Sequence, residues 1–301
     1  SSTRSAPRPT VSAVYSGLSN KLIPLFSLLR IAQKEKKTIK CFWDRSAYQK
    51  DIVFDFNDLF EPVENIEFVN KNEYMKAFND NKNKIYNRDG SDRDRNEVIY
   101  KGSGEQNTVF NYIVHAISYN QDNIVGMYIP TPRYKVYTNE FINELRSQLK
   151  KLKPIYKIQN KIEKIINSGK FKNNKVLGMH IRTTDGGFTD IDDNKSLEYI
   201  ESFLNNNSDW NIYIASDNSK SEQKIINKFG KNKIIVFDDP FGTTYEDKFN
   251  RTTYGVINGV CDLFALSKCD KFIGTPGSSF TFMTWLLRND DILEHWCKNP
   301  W

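Results

Sequence analysis

Four short apolar runs recur through the second half of this chain, at residues 176–181, 210–216, 234–237 and 271–274, and each runs into a polar or glycine-bearing loop. That recurrence constrains the fold more than any other feature. Near-continuous apolar runs are strands buried on both faces, and strands separated by helical segments pair in parallel. Helical spacing falls where such a sheet needs it, at 196–204, 219–229, 256–265 and 280–287. The half therefore reads as α/β. In such sheets the loops after the strands gather at one edge, and ligands bind there, outside the carboxyl ends.

The first half opens in the same way. A strand is expected at 11–15, a turn at 16–20, a helix at 22–32 and a strand at 39–43. Leu22, Leu25, Phe26 and Leu29 lie at helical spacing, Ser19 or Asn20 is placed to cap the helix, and Pro24 is expected in its first turn, where a missing N–H costs nothing. Residues 51–68 show no clear period, and 70–95 read as an exposed polar loop. Residues 109–118 fit either a strand or a short helix, with His115 on the apolar side as a core histidine. Residues 137–169 are helical apart from a break at Lys153-Pro154, because proline cannot continue a helix interior. The division is placed there, near 148–154, giving one domain over 11–150 and another over 151–301.

Composition excludes several classes. Hydrophobic residues make up 39% and aromatics 13%, with 20 Phe and 15 Tyr, which suits a globular protein with a sizeable core. Forty-three basic against 37 acidic side chains leave a net charge of +6, compatible with an anionic ligand without demanding nucleic acid. Many lysines alternate with asparagine, as at 79–84, a pattern of biased codons more than of a binding face. Cys41, Cys261, Cys269 and Cys297 form no Cys-x-x-Cys pair, which removes a zinc module, and spacing does not decide whether any of them pair. Cys261 and Cys269 lie in apolar surroundings and read as core residues. No run of about 18 apolar residues is present, so no membrane span is expected within the chain, and residues 1–10 read as a linker. The compartment is left open.

The chemistry concentrates in two loops. One follows the strand at 176–181 and reads His180-Ile181-Arg182-Thr183-Thr184-Asp185-Gly186-Gly187. The other follows the strand at 271–274 and reads Thr275-Pro276-Gly277-Ser278-Ser279 ahead of a helix. A diphosphate needs a fixed positive charge and several N–H or O–H donors. Arg182 supplies the first, while Gly277, Ser278, Ser279 and the positive end of the helix supply the second. Each alone has a plain structural reading, a surface ion pair for the first and a helix cap for the second. Their pairing points to a site.

The first loop resembles the His-Val-Arg-Arg-Thr-Asp motif of the nodulation-protein and α1,6-fucosyltransferase group of glycosyltransferases, which is related to the protein O-fucosyltransferases. Gly17-Leu18-Ser19-Asn20-Lys21-Leu22 is similar to that group's Gly-Leu-Gly-Asn-x-Leu opening, which places Gly17 and Asn20 in an N-terminal, acceptor-side turn. The resemblance covers about 155–288 well and only the opening of the first half. It implies a GT-B fold, with two Rossmann-like domains facing across a cleft. It also implies transfer of a sugar from a nucleotide-diphosphate donor, GDP-fucose first, to a glycan or glycoprotein hydroxyl with inversion.

By the same resemblance His180, Arg182, Asp185, Asp217, Asp238, Thr275, Gly277, Ser278 and Ser279 hold the donor. Asp238, or its neighbour Asp239, takes the guanine edge, and Asp185 holds Arg182 or the loop. Asp190 stands where the group has a glutamate and is the first choice of base, with Asp192 and Asp193 as rivals. No cofactor and no metal are expected, because Arg182 and the helix start would offset charge on the leaving diphosphate. Thr183 departs from the motif by replacing its second arginine. That keeps another donor, such as UDP-xylose, in view, and a non-catalytic glycan- or nucleotide-binding module is the alternative of another class.

Overall fold

The computed structural model describes residues 18–34, 38–41, 43, 55–70, 72–73, 116–119, 123–127, 139–183, 193–238, 253–275 and 278–288. They belong to two compact units, one within residues 1–47 and 65–131, the other within 48–64 and 132–301. The strand expected at 11–15, most of the polar stretch at 70–95 and His115 lie outside the described residues.

In the first unit α1 (Leu18–Lys34) precedes β1 (Thr38–Cys41), β2 (Ile66–Phe68), β3 (Ala116–Tyr119) and β4 (Asn123–Met127). The sheet runs β2-β1-β4-β3, with β1 parallel to both neighbours and β3 antiparallel on β4. Leu22, Leu25, Phe26 and Leu29 are buried as their spacing requires. The helix start corrects the sequence reading. Because α1 begins at Leu18, Ser19 and Asn20 are inside it and do not cap it, and Pro24 is its seventh residue, beyond the first turn. An interior proline costs about 3 kcal/mol, but each of the apolar side chains on this helix gains roughly 1.5–3 kcal/mol on burial, so the packed face wins.

The second unit carries the larger sheet. A 3-10 turn (Phe56–Asp58) is followed by α2 (Asn139–Leu149), α3 (Tyr156–Ile166), α4 (Gly169–Lys172) and β5 (Lys175–Ile181). Then come α5 (Asp193–Asn206), β6 (Trp210–Ser216), α6 (Ser219–Phe229), β7 (Ile234–Val236), α7 (Thr253–Ser267), β8 (Lys271–Gly274) and α8 (Ser279–Leu287). The strands run β7-β6-β5-β8 and all pair in parallel. Chain order thus moves outward from β5 to β7 and then returns to the other side of β5. The reversal puts the topological switch point between β5 and β8, at whose carboxyl ends sheets of this kind take their ligands.

Both faces of the sheet are covered. Leu177, Met179 and Ile181 of β5 and Ile212 and Ile214 of β6 pack with Leu197 and Ile200 of α5 and Ile225 and Ile226 of α6. On the opposite face α7 comes close to β5. A Cβ at Gly178 would stand 2.9 Å from Cys269 Sγ and 3.0 Å from a Leu266 methyl, so this contact needs glycine. Tyr213 on β6 donates to Asp262 Oδ1 of α7 at 2.6 Å, a satisfied polar pair in a buried layer. Cys41, Cys261 and Cys269 are buried free thiols.

Residues 55–64 are docked into this second unit from far along the chain. Phe60 bridges Pro154, Glu61 N–H donates to Lys153 O at 2.9 Å, and Ile155 N–H donates to Leu59 O at 3.0 Å. Phe56, Leu59 and Phe60 are fully buried. On α2, Ile142, Leu145 and Leu149 are buried, and Arg146 donates to Trp285 O of α8 at 3.2 Å. Helix α2 therefore belongs with the second unit, whereas the sequence reading ended the first domain with it.

Candidate active site

The carboxyl ends of β5, β6 and β8 are joined by side chains where the backbone ladder stops. Strand pairing between β5 and β8 ends at His180 opposite Gly274. One residue further, the Thr275 hydroxyl donates to His180 O and accepts from Arg182 N–H, both at 3.0 Å. A side chain thus continues the ladder by one rung and fixes the backbone from which Arg182 projects. Thr275 is fully buried. Its hydroxyl is committed to these two backbone groups, so it acts on a ligand only through Arg182.

On the other flank, Asp217 follows β6 and its Oδ1 accepts from Thr183 N–H at 2.9 Å. The Thr183 hydroxyl is 3.5 Å from the same oxygen. Arg182 and Thr183 are half-buried. The residue that departs from the resembled motif is thereby used as a backbone tie between two strand ends.

His180, the next-to-last residue of β5, is buried at 7% exposure. Its Nδ1 lies 2.8 Å from Thr281 Oγ1 of α8, and its ring meets that of Phe280 at 4.6 Å between centroids. Burial lowers its pKa to about 4, Arg182 acting in the same direction and Asp217 against it. The imidazole is therefore neutral near pH 7.

Ser278 occupies the N-cap position of α8, yet it makes no side-chain cap bond. It is 1% exposed and its Oγ, fully enclosed, has no hydrogen-bond partner among the described residues. An enclosed hydroxyl without a partner carries a desolvation cost that a bound acceptor would remove. Ser279, half-buried, is the first residue of the helix.

The structure brings His180, Arg182, Asp217, Thr275 and Ser278 to one edge of the sheet. Asp238 lies apart from them in its contacts. It is exposed just after β7 and lines a groove of about 870 Å³ along that edge strand, with Lys161, Lys164, Lys170 and Phe237. Asn20 is in α1, Asp193 is the first residue of α5, and nothing more is described for either side chain. Gly17, Asp185, Asp190, Asp192, Asp239 and Gly277 lie outside the described residues. Sequence reading missed Thr281 and the backbone role of Thr275. Both depend on a strand register between residues about a hundred positions apart, for which a linear sequence carries no local mark.

No family model matches this chain, and no curated protein does. Solved structures do. A NodZ α1,6-fucosyltransferase soaked with GDP-fucose superimposes with a TM-score of 0.54 at 16% identity, over 90% of this chain and 89% of that one. NodZ from Bradyrhizobium gives 0.53 at 16% over 90% of each chain. POFUT1 in complex with GDP-fucose gives 0.54 at 12% identity, over 96% and 95%. With its parallel sheet of order β7-β6-β5-β8 and helices on both faces, the chain has the GT-B fold of these fucosyltransferases.

Proposed function

We propose that this protein is an inverting glycosyltransferase that moves a sugar from a nucleotide-diphosphate donor, GDP-fucose in the first instance, to a glycan hydroxyl. One observation carries the reading: the Thr275 staple, which seats Arg182 at the topological switch point beside the start of α8. A guanidinium there offers a planar fork to phosphate oxygens, and the helix start adds N–H groups and the unpartnered Ser278 hydroxyl. The structural neighbours include complexes with GDP and GDP-fucose, which supports the same donor here and lends nothing to UDP-xylose.

In this reaction a base takes the proton of the acceptor hydroxyl as its oxygen attacks the anomeric carbon from the face opposite the diphosphate. The bond from that carbon to the diphosphate oxygen breaks, and the nucleoside diphosphate leaves with the electron pair. Arg182 and the α8 start offset the charge that grows on the leaving group. Asp190 is the proposed base, and its carboxylate receives the proton.

Metal independence is part of the proposal and needs its own arm. Asp92-Arg93-Asp94 and Asp190-Ile191-Asp192 carry an Asp-x-Asp spacing, so the sequence does not lack the pattern on which metal-dependent glycosyltransferases rely. The test is a donor screen with GDP-fucose, GDP-mannose, UDP-xylose and UDP-glucose, reading nucleotide release with and without EDTA. GDP-fucose should turn over, EDTA should leave the rate unchanged, and Asp190→Asn should abolish turnover while sparing donor affinity. Turnover of a UDP-sugar alone would overturn the donor. Strict dependence on Mn²⁺ would overturn the role given to Arg182, and binding of donor without any turnover would favour the non-catalytic module.

A further inference from the structure

The approach of Thr281 to His180 depends on residue 274 being glycine. Gly274 pairs in register with His180, and a Cβ there would fall 2.3 Å from Thr281 Cγ2 and 2.4 Å from its Oγ1. Thr281 is 2% exposed, and its hydroxyl lies 2.8 Å from His180 Nδ1. A hydroxyl carries one proton, and among the described residues this one has no acceptor other than Nδ1. It therefore donates to Nδ1, and the proton of the neutral ring sits on Nε2. That second nitrogen has no hydrogen bond among the described residues, and the side chain keeps 7% exposure at the end of β5.

We propose that Thr281 is a positioning residue: it holds the His180 imidazole in one orientation and as the Nε2–H tautomer, so that the ring offers an N–H donor to an oxygen of the bound nucleotide-diphosphate sugar. The proposal rests on the donor-site reading above and names what sets the chemistry of one of its residues. A ring free to choose its tautomer would present a lone pair part of the time, and a lone pair repels a phosphate or carbonyl oxygen. The charged groups acting on the ring are Arg182, which disfavours the imidazolium, and Asp217, which favours it. Burial is the largest influence and keeps the ring neutral down to about pH 4. Phe280, tilted at 33° to the ring, adds a steric limit on its rotation.

The test combines a spectroscopic and a kinetic readout. The chain has three histidines, so ¹⁵N-labelled imidazole signals are few, and His180→Gln assigns the one in question. At pH 7 the wild type should show an unprotonated Nδ1 and a protonated Nε2. Thr281→Val keeps the shape and removes the hydroxyl. It should mix the tautomers and raise the donor KM by about tenfold, the loss expected from one hydrogen bond, with kcat little changed. Thr281→Ser should restore both readouts. A wild-type ring protonated on Nδ1, or a valine variant with an unchanged ¹⁵N pattern and unchanged KM, would overturn the proposal. A wild type that binds no nucleotide would overturn the donor-site reading and the binding role with it, while the ¹⁵N pattern would still decide the tautomer.

Discussion

At the scale of single residues, the site is built from side chains that serve backbone. Thr275 and Asp217 are tied to peptide groups of β5 and its following loop, and in the function proposed above Arg182, His180 and Ser278 are the groups that meet the ligand. The residue types were legible in the sequence, since arginine and paired serines in loops after strands invite an anion. Their division of labour was not, because a threonine that stabilises a strand end and one that touches phosphate look alike in a linear chain. His180 carries a consequence for stability. Its folded pKa, about 4, lies below the ordinary 6.5, so between these values the unfolded chain binds more protons than the folded one. The contribution is complete above pH 6.5 and is lost as pH falls towards 4, a change of about 3 kcal/mol. Urea unfolding across that window should show this loss in the wild type and a flatter profile in His180→Gln. Equal slopes in both would contradict the burial of a neutral ring.

At the scale of elements, the sequence specified best where local chemistry punctuates it. Helix α6 has the bounds its pattern predicts, because the Asn218 side chain accepts from Lys220 N–H at 2.9 Å at one end and Gly230 takes a φ of 78° at the other. β8 likewise matches. The start of α1 was misread because Pro24 suggested a first turn, and what overrode that signal was tertiary burial of the helix face. The docking of Phe60 on Pro154 had no local sign either, being a contact across about ninety residues. Arg288, just past α8, was also silent in the sequence. It is 5% exposed and its guanidinium donates to Leu266 O and Asp270 O, each at 3.2 Å, and to Cys269 O, closing the carboxyl end of α7 and the turn into β8. Arg288→Met should lower stability by roughly 2–4 kcal/mol, since it strands several buried carbonyls at once. The expected signature in urea is a lower midpoint at an unchanged slope. A midpoint within error of the wild type would show that water satisfies those carbonyls instead.

At the scale of the whole molecule, the fold class followed from the strand–helix alternation, and the neighbours share it at 12–16% identity. A fold shared at that distance leaves the ligand open, because strand order sets only the switch point and specificity is a product of loops. The account therefore turns on one charge at the switch point. Titration calorimetry of GDP into the wild type, Arg182→Lys and Arg182→Ala tests it most directly. The account predicts binding by the wild type, partial loss with lysine because an ammonium cannot reproduce the planar fork, and affinity roughly 10²–10³ weaker with alanine. Equal affinity in all three proteins, or no heat from GDP in the wild type, would contradict it.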